Sequence, residues 1–361
     1  MAKVSGKGTN NGNRQKGKAP AKKKQQATNK ITQDVKKLAN KELNKQVNKQ
    51  VNKQVKNVKN KTKKSKNQKE SFFIYYIFTA IILFALGYTG YSYFFEENNA
   101  NFVGQPPSIV REGDGVEVHF IDVGQGDSTL IITPDGNMLI DAGDIHMEAR
   151  VIEYLQRQGI SRLDYVIATH PHADHIGGLP GVIDTFEIGT LMMPERAHTS
   201  RIFERFIEAL ERNEVDVIPP TVGEQIILGD AAFTILAPNS AEYRNLNDYS
   251  IVLLMDYGST SFMFAADAEA LSESEILGLG FDISADVLGV GHHGSSTSTT
   301  LEFLEAVDPS IAVISVGMGN RYNHPTESVV RRIEEYGAQI FRTDHYGDVV
   351  MLTDGQSIEV R

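Results

Sequence analysis

Six consecutive residues carry the strongest chemical signal of the chain: His170-Pro171-His172-Ala173-Asp174-His175. Three imidazoles and one carboxylate in so short a segment form a ligand set for a first-row transition metal. The chain has no cysteine, so histidines and carboxylates must supply every side-chain ligand of such a metal. We therefore predict a metal site here. The alternative is a surface histidine cluster that holds no metal.

Two later segments end apolar strands in residues of the same chemical types. Residues 262–266 lead to Asp267, and residues 286–291 lead to His292 and His293. A carboxylate at a strand end can bridge two cations about 3.5–4 Å apart, as in two-metal hydrolases. Asp267 could equally cap the helix that follows it. The histidine pair is the stronger of these two signals.

Short β-branched runs and helical patterns indicate which elements position these residues. We predict strands at 116–123, 128–133, 137–143, 164–169, 225–228, 231–237, 250–256, 260–266, 285–290, 310–316, 338–342, 347–352 and 356–360. We predict helices at 147–158, 200–212, 269–277, 299–307 and 326–336. Two similar series of strands followed by helices indicate an α/β fold in which two sheets pack together with helices outside.

The first 70 residues differ in composition from the rest of the chain. They contain all 21 lysines and carry a net charge of +19, whereas residues 71–361 carry −29. A polar segment of this kind cannot offset its chain entropy by burial, so we predict that residues 1–70 are a disordered tail. Three copies of Asn-Lys-Gln-Val, the first at Asn44, would form a thin apolar stripe on a helix. The tail could bind anionic lipid or nucleic acid, or it could be a solvated low-complexity segment.

Residues 71–95 have the character of a transmembrane helix. No charged residue occurs between Phe72 and Phe95, and this length is sufficient to cross a bilayer once. A cleaved signal peptide fits poorly because the segment begins 70 residues into the chain. Lysines precede the span and two acids follow it, so the positive-inside rule places the tail in the cytoplasm. We expect a single-pass protein of the cell membrane with a linker at 96–115 and an extracytoplasmic domain at 116–361.

Several motifs resemble those of one known fold family. They are HFIDVGQGDSTLI (119–131), THPHADHIGGL (169–179), NDYSIVLL (247–254), FAADAE (264–269), GHHGSSTS (291–298) and NRYNHPT (320–326). Together they resemble the metallo-β-lactamase fold, and more narrowly the extracytoplasmic domain of ComEC-type competence proteins. The resemblance covers about residues 116–355 and does not extend to the tail. It implies an αββα sandwich with the functional site at one edge between the two sheets.

The resemblance also implies a ligand set for two divalent cations, which we expect to be zinc, with manganese or iron as alternatives. His170 and His172 would hold the first cation together with one histidine of the 292–293 pair, for which we favour His293. Asp174 and His175 would hold the second cation, and Asp267 would bridge the two. Asp174 would also act in catalysis by orienting the attacking hydroxide.

Further residues are predicted to support this site. Asp122, Asp127 and Asp141 would hydrogen-bond to ligand histidines, although a purely structural role in turns is an alternative for each. Many family members have another histidine in the region where this chain has Asn247 and Ser250, so we expect the second cation to be held more weakly or by different ligands. We do not expect His198 to be a ligand. His324 and Arg321 are candidates for contact with an anionic leaving group, and surface hydrogen bonding is the alternative for both.

These observations predict metal-assisted hydrolysis, in which water activated by the cations attacks an electrophilic phosphorus or carbonyl. The narrower resemblance favours phosphodiesters, including DNA, and would make the protein a membrane-anchored phosphodiesterase or nuclease. Residues 71–361 contain no lysine, and their net negative charge repels polyanions. Two alternatives follow. One is a hydrolase of another envelope ester or amide. The other is a non-catalytic anchored binding or scaffold protein that acts through its basic tail.

Overall fold

The computed structural model describes residues 115–361. The predicted tail at 1–70, the predicted membrane span at 71–95 and the linker up to residue 114 lie outside the described residues. Within 115–361, no helix is both long enough and apolar enough to cross a bilayer.

Fifteen strands and eight α-helices make up the described part of the chain. The strands are β1 (Val116–Phe120), β2 (Thr129–Thr133), β3 (Gly136–Ile140), β4 (Arg162–Ile167), β5 (Glu187–Met192), β6 (Asp216–Ile218), β7 (Gln225–Leu228), β8 (Ala231–Ala237), β9 (Val252–Tyr257), β10 (Thr260–Phe264), β11 (Val287–Gly289), β12 (Ile311–Ile314), β13 (Gln339–Arg342), β14 (Val349–Thr353) and β15 (Ile358–Val360). The helices are α1 (Glu148–Arg157), α2 (Ala173–Ile176), α3 (Leu179–Thr185), α4 (Arg201–Arg212), α5 (Ala270–Gly278), α6 (Leu301–Val307), α7 (Glu327–Tyr336) and α8 (Thr343–Tyr346). Short 3-10 turns lie at Ile145–Met147, Asn247–Tyr249 and Gly291–Gly294.

The strands form two sheets. One has the order β15-β14-β1-β2-β3-β4-β5-β6, and the other has the order β13-β12-β11-β10-β9-β8-β7. Strands β3 to β6 run parallel to one another, as do strands β10 to β13. Parallel strands place their carboxyl ends at the same edge of a sheet, which is where ligands bind in open α/β sheets.

Alternation of side chains along the strands builds the layers, because successive side chains of a strand point to opposite faces. Ile131 lies in the core between the two sheets, whereas its neighbours Leu130 and Ile132 pack in the outer core with α1, α3 and α4. The second sheet packs its outer face against α5, α6 and α7 in a third core. The predicted αββα sandwich is therefore confirmed.

Helix α4 illustrates why the longer helices form where the sequence predicts them. Ser200 caps its N-terminus by accepting a hydrogen bond from Phe203 N at 3.1 Å. Its buried residues recur at the three- and four-residue spacing of one helix face: Phe203, Phe206, Ala209 and Leu210. This face packs in the outer core of the first sheet.

Strands β5 and β6 and helix α3 were not predicted from the sequence, nor were the short helices α2 and α8. Strand β5 has the sequence EIGTLM, which neither alternates nor forms an apolar run, and pairing with β4 and β6 holds it in place. Helix α3 begins Leu-Pro-Gly, which disfavours a helix interior but is tolerated in the first turn. Pairing and packing with other parts of the chain, rather than a local sequence pattern, therefore determine where β5, β6 and α3 form.

Candidate metal centre

The predicted ligand residues meet at one edge of the sandwich, at the carboxyl ends of parallel strands from both sheets. His170 follows β4 of the first sheet, and the other members of its motif lie at or beside α2. Asp267 follows β10 of the second sheet, and His292 and His293 follow β11. Residues that are about 100 positions apart in the sequence thus face one another across the two sheets.

Four overlapping groups of three side chains among the described residues present metal-ligating atoms within 4.8 Å of one another. Two of them contain only predicted ligands: a first group of His170, His172 and Asp267, and a second group of Asp174, His175 and His293. The other two combine Asp127 with Asp267 and His293, or with Asp141 and His175. His293 Nε2 lies 3.6 Å from Asp174 Oδ2. The structure thus corrects the expected grouping of His293, which lies with Asp174 and His175 rather than with His170 and His172.

Asp267 stands between these groups. Its carboxylate is only 2% exposed, and its Oδ1 lies 3.3 Å from His175 Nε2 and 3.4 Å from His293 Nε2. Its Oδ2 lies 3.5 Å from His170 Nε2 and 3.6 Å from His292 Nε2. This is the position expected of an acid that bridges two cations. The alternative role of Asp267 as a helix cap is not observed, because the N-cap of α5 is Glu269.

The atoms at the centre of the cluster are buried without hydrogen-bond partners among the described residues. They are His175 Nε2, His293 Nε2 and Asp267 Oδ1. A buried polar atom without a partner costs about 1–3 kcal/mol, so such atoms need an explanation. Imidazole nitrogens and carboxylate oxygens suit a divalent cation, and one bound here would satisfy all three atoms. The residues present therefore fit the metals that the fold implies.

Burial and the neighbouring acids shift the pKa values of the clustered side chains in different directions. Burial lowers the pKa of His170, and burial together with the neighbouring His170 lowers the pKa of His172 to about 4, so both rings are neutral ligands. Burial opposes a charge on His175, yet Asp267 and Asp141 raise its pKa well above its ordinary value. Burial alone would raise the pKa of Asp174, but the neighbouring imidazoles of His293 and His175 outweigh burial and lower it. The carboxylates thus stabilise positive charge at the centre of the site.

Asp141 orients His175 as predicted. The buried Asp141 Oδ2 accepts a hydrogen bond from His175 Nδ1 at 2.8 Å and another from Thr169 Oγ1 at 2.7 Å. Its Oδ1 accepts from Thr169 N at 2.9 Å. Asp141 has a left-handed φ of 56°, a strained conformation for a residue other than glycine. These bonds leave His175 Nε2 directed at Asp267.

Replacing Asp141 with asparagine is expected to weaken metal affinity by about 10–100-fold, the usual cost of losing a residue that orients a ligand. An amide nitrogen cannot accept the hydrogen bonds that one carboxylate oxygen now receives. Equilibrium titration of the metal-free chain with Mn²⁺ would measure the change. Asp122→Asn is the matched control, and equal loss in both variants would contradict the assigned role of Asp141.

Asp127 and Asp122 differ in their contacts. Asp127 lies 3.5 Å from His293 Nδ1 and 3.9 Å from His175 Nδ1, so it faces both histidines, although neither makes the predicted hydrogen bond to it. Asp122 forms no hydrogen bond or ion pair with the clustered histidines, and its Oδ1 accepts from Gly124 N at 3.0 Å. The structure thus supports the alternative role of Asp122 as a turn residue.

A close backbone contact holds this turn against the metal motif. A Cβ on Gly126 would lie 2.3 Å from Asp174 O, and the φ of Gly126 is 144°. Asp127 N donates to Asp174 O at 3.2 Å. Only glycine fits at position 126, because any side chain would separate the turn from the metal motif.

Asn247 and Ser250 occupy the region of the missing family histidine and contact the cluster. Ser250 Oγ lies 3.4 Å from His170 Nδ1 and accepts a hydrogen bond from Asp267 N at 3.2 Å. Asn247 Nδ2 donates to Glu269 Oε1 at 3.0 Å. His198 is in neither ligand group, although its ring centre is 6.4 Å from that of His172.

His324 and Arg321 lie at the rim of the cluster. The His324 ring centre is 5.4 Å from that of His292, and Tyr322 stacks on His324 at 5.8 Å. Arg321 is exposed and donates to Tyr322 OH at 2.7 Å. Tyr322 is 48% exposed, so this group opens to solvent.

Sequence reasoning missed three residues that hold ligand histidines. Thr169 Oγ1 lies 3.1 Å from His170 Nδ1, and His293 Nδ1 donates to the backbone oxygen of Ser315 at 2.9 Å. Glu269 Oε1 lies 3.3 Å from His292 Nδ1. Glu269 is the second acid of the FAADAE motif, so its role could have been predicted from the sequence. A backbone acceptor such as Ser315 O leaves no trace in the residue types.

Comparison with known proteins identifies one family. The model of the metallo-beta-lactamase superfamily matches residues 121–317. The chain is 32% identical over 261 residues to ComE operon protein 3 of Bacillus subtilis (strain 168), covering 67% of this chain and 33% of that protein. It is 33% identical over 241 residues to Recombination protein 2 of Haemophilus influenzae, covering 64% of this chain and 28% of that protein. It is 31% identical over 251 residues to Competence protein ComA of Neisseria gonorrhoeae, covering 69% of this chain and 34% of that protein. The chain spans about a third of the length of these relatives.

Proposed function

This chain belongs to the metallo-beta-lactamase superfamily of metal-dependent hydrolases, and on that premise we propose that it is a phosphodiesterase that cleaves nucleic-acid strands. The observation that carries the proposal is the buried carboxylate of Asp267 between two groups of histidines and acids. The names of the relatives refer to competence and recombination, and this supports DNA as the substrate class.

The ligand residues would hold two divalent cations, which we propose to be zinc, with manganese or iron as alternatives. When bound, such cations make water acidic enough to attack at neutral pH and neutralise negative charge on phosphoryl oxygens. Asp174 is suited to orient the attacking water, because its side chain is 28% exposed whereas that of Asp267 is 2% exposed. Asp174 can therefore reach both the cluster and the solvent.

The rim supplies contacts for a nucleic-acid strand. Arg321 forms no ion pair with any acid in the described part of the chain, and its guanidinium lies 4.9 Å from the centre of the Tyr322 ring. It can contact a phosphate, while an exposed aromatic ring can stack with a base. Met318 is 81% exposed on the preceding turn and adds apolar surface. His324 lies between this rim and His292, where it can contact the leaving group.

Activity of the purified full chain would test the proposal on four substrates: single-stranded DNA, bis(p-nitrophenyl) phosphate, a β-lactam and a thioester. We expect turnover of both phosphodiesters with Mn²⁺ or Zn²⁺. Arg321→Gln should lower kcat/KM on DNA by about tenfold, the value of roughly one charge-assisted hydrogen bond. Arg331→Gln is the matched control, because Arg331 is an exposed arginine of α7 that pairs with Glu327. Turnover of the non-phosphate substrates alone would refute the proposal.

A second candidate is a hydrolase of an uncharged envelope ester or amide, and the charge of the domain favours it. Residues 115–361 contain 13 arginines, 39 acids and no lysine, so their net field repels polyanions. The non-catalytic scaffold receives less support, because the described residues retain a ligand set for two cations.

We also propose that residues 71–95 anchor the domain outside the cytoplasm, with the basic tail inside, where it could contact anionic lipid or nucleic acid. Protease added to intact cells should digest the domain. Full protection of the domain from the protease would show that the proposed orientation is wrong.

A further inference from the structure

Arg196 is an exposed arginine in the loop between β5 and α4. This loop begins at the carboxyl end of β5 and therefore lies at the metal edge, the edge of the sandwich that carries the ligand residues. The Arg196 guanidinium lies 5.1 Å from the centre of the ring of Tyr249, a residue that is only 3% exposed. Attraction between a cation and an aromatic face holds the guanidinium there. Its N–H groups lie in the guanidinium plane, so this contact leaves them available to an anion.

Three contacts place the Arg196 loop beside the first cation group. Ser250 follows the tyrosine in the chain, and its Oγ lies 3.4 Å from His170 Nδ1. Arg196 and His170 line the same small cavity. His198 belongs to the same loop, and its ring centre is 6.4 Å from that of His172. The loop therefore adjoins the imidazoles that the first sheet supplies.

Arginines without an acidic partner occur at the metal edge of this acidic domain. Elsewhere in the described part of the chain, arginines pair with carboxylates; these are Arg150, Arg162, Arg205, Arg212, Arg331, Arg342 and Arg361. Within residues 115–361, no acid forms an ion pair with Arg196, Arg244 or Arg321, which lie in the loops after β5, β8 and β12. Their positive charge is therefore available to an anion at the metal edge, where it offsets locally the repulsion that the net charge exerts on a polyanion.

Arg321 lies beside the histidines of the other sheet. His324 is in the same turn, and its ring centre is 5.4 Å from that of His292, which follows β11. Arg196 thus adjoins the part of the cluster that comes from the first sheet, and Arg321 adjoins the part that comes from the second. The metal centre lies between the two guanidiniums.

Given the phosphodiesterase function proposed above, on which this inference rests, we propose that Arg196 binds a phosphate on one side of the cleaved linkage while Arg321 binds a phosphate on the other side. The site then takes an internal segment of a single nucleic-acid strand. Arginine contacts with phosphates position a strand without reading its sequence. A polymer gains both contacts, whereas a small diester has no neighbouring phosphate to gain either. Arg196 is therefore a residue that determines specificity for polymers.

Cleavage of a closed circular single-stranded DNA by the full chain with Mn²⁺ tests the proposal. The wild type should cut the circle, because an internal segment needs no strand end. Arg196→Gln should lower kcat/KM on the circle by about tenfold, the value of roughly one charge-assisted hydrogen bond. The ratio of kcat/KM on the circle to kcat/KM on bis(p-nitrophenyl) phosphate should fall by about the same factor.

Arg157→Gln is the matched control. Arg157 is also exposed, and its guanidinium lies 5.7 Å from the ring of the buried Tyr154. It ends α1, a helix of 10 residues that begins beside the metal edge, so it lies about 15 Å further along the sandwich. Arg157→Gln should keep the ratio within twofold of the wild type.

An uncharged methylphosphonate linkage next to the central phosphate of an oligonucleotide identifies the phosphate that each arginine binds. On one side of the central phosphate, this linkage should slow central cleavage by wild type about tenfold and have no further effect in Arg196→Gln. On the other side, the same should hold for Arg321→Gln. Independent, multiplying losses for Arg196→Gln on both sides would overturn the proposal.

Two further results would also overturn it: equal losses on the circle and on the small diester in Arg196→Gln, and cleavage of linear strands only. In each of these cases the wild type still hydrolyses DNA, so the proposed function stands. If the wild type cleaves no phosphodiester, the proposed function itself is wrong and this inference is wrong with it.

Discussion

Replacing Asp267 with alanine is expected to remove both cations and to abolish hydrolysis. The Asp267 carboxylate is buried between four imidazoles, two at each oxygen, and lies 3.3–3.5 Å from ligand histidines of both groups. Losing a residue that merely orients a ligand already costs about 10–100-fold in affinity or activity, so losing the shared acid should exceed about 100-fold for both cations.

Mn²⁺ stoichiometry and kcat/KM on a phosphodiester, measured on the same preparation, would check this result. Asp230→Ala removes an exposed acid from the turn between β7 and β8 and should change neither quantity. Two tightly bound ions in Asp267→Ala would show that the groups do not share this acid.

Phe233→Ala is expected to lower the free energy of unfolding by about 3–5 kcal/mol, the usual cost of truncating a buried phenylalanine. Phe233 lies on β8, is fully buried and belongs to the core between the two sheets. Truncation removes apolar contacts and leaves a cavity that both sheets line. Because the two halves of the metal centre come from different sheets, this core also sets the distance between them.

Urea unfolding of the metal-free chain, followed by circular dichroism, would measure this change. Ile227→Ala on the neighbouring β7 is the control, because Ile227 is 57% exposed and its truncation should stay within about 0.5 kcal/mol. A loss below about 1 kcal/mol in Phe233→Ala would mean that the core between the sheets tolerates a cavity there.

Sequence reasoning was most successful where the chemistry is local. His170, His172, Asp174 and His175 lie within six residues, so their spacing alone predicted a metal site, and the structure brings all four to one edge. Asp267 and the histidine pair could be predicted because apolar strands end at them. The apolar periodicity of residues 200–212 likewise predicted α4, which the structure places at Arg201–Arg212.

Errors arose where a contact joins distant parts of the chain. His293 was expected beside His170 and His172, but it lies with Asp174 and His175. Asp122 was expected to support a ligand, but it stabilises a turn. Pairing with neighbours, rather than a local pattern, holds β5 and β6.

The amino-acid sequence was sufficient for the ligand types, the absence of thiolates and the two-sheet arrangement, because residue chemistry and side-chain periodicity act over a few positions. It was not sufficient to say which histidine meets which oxygen of Asp267, or that Glu269 and Ser315 O hold the histidine pair. Those contacts depend on how two sheets pack against each other, and differences of about 1 Å between residues far apart in the chain decide them.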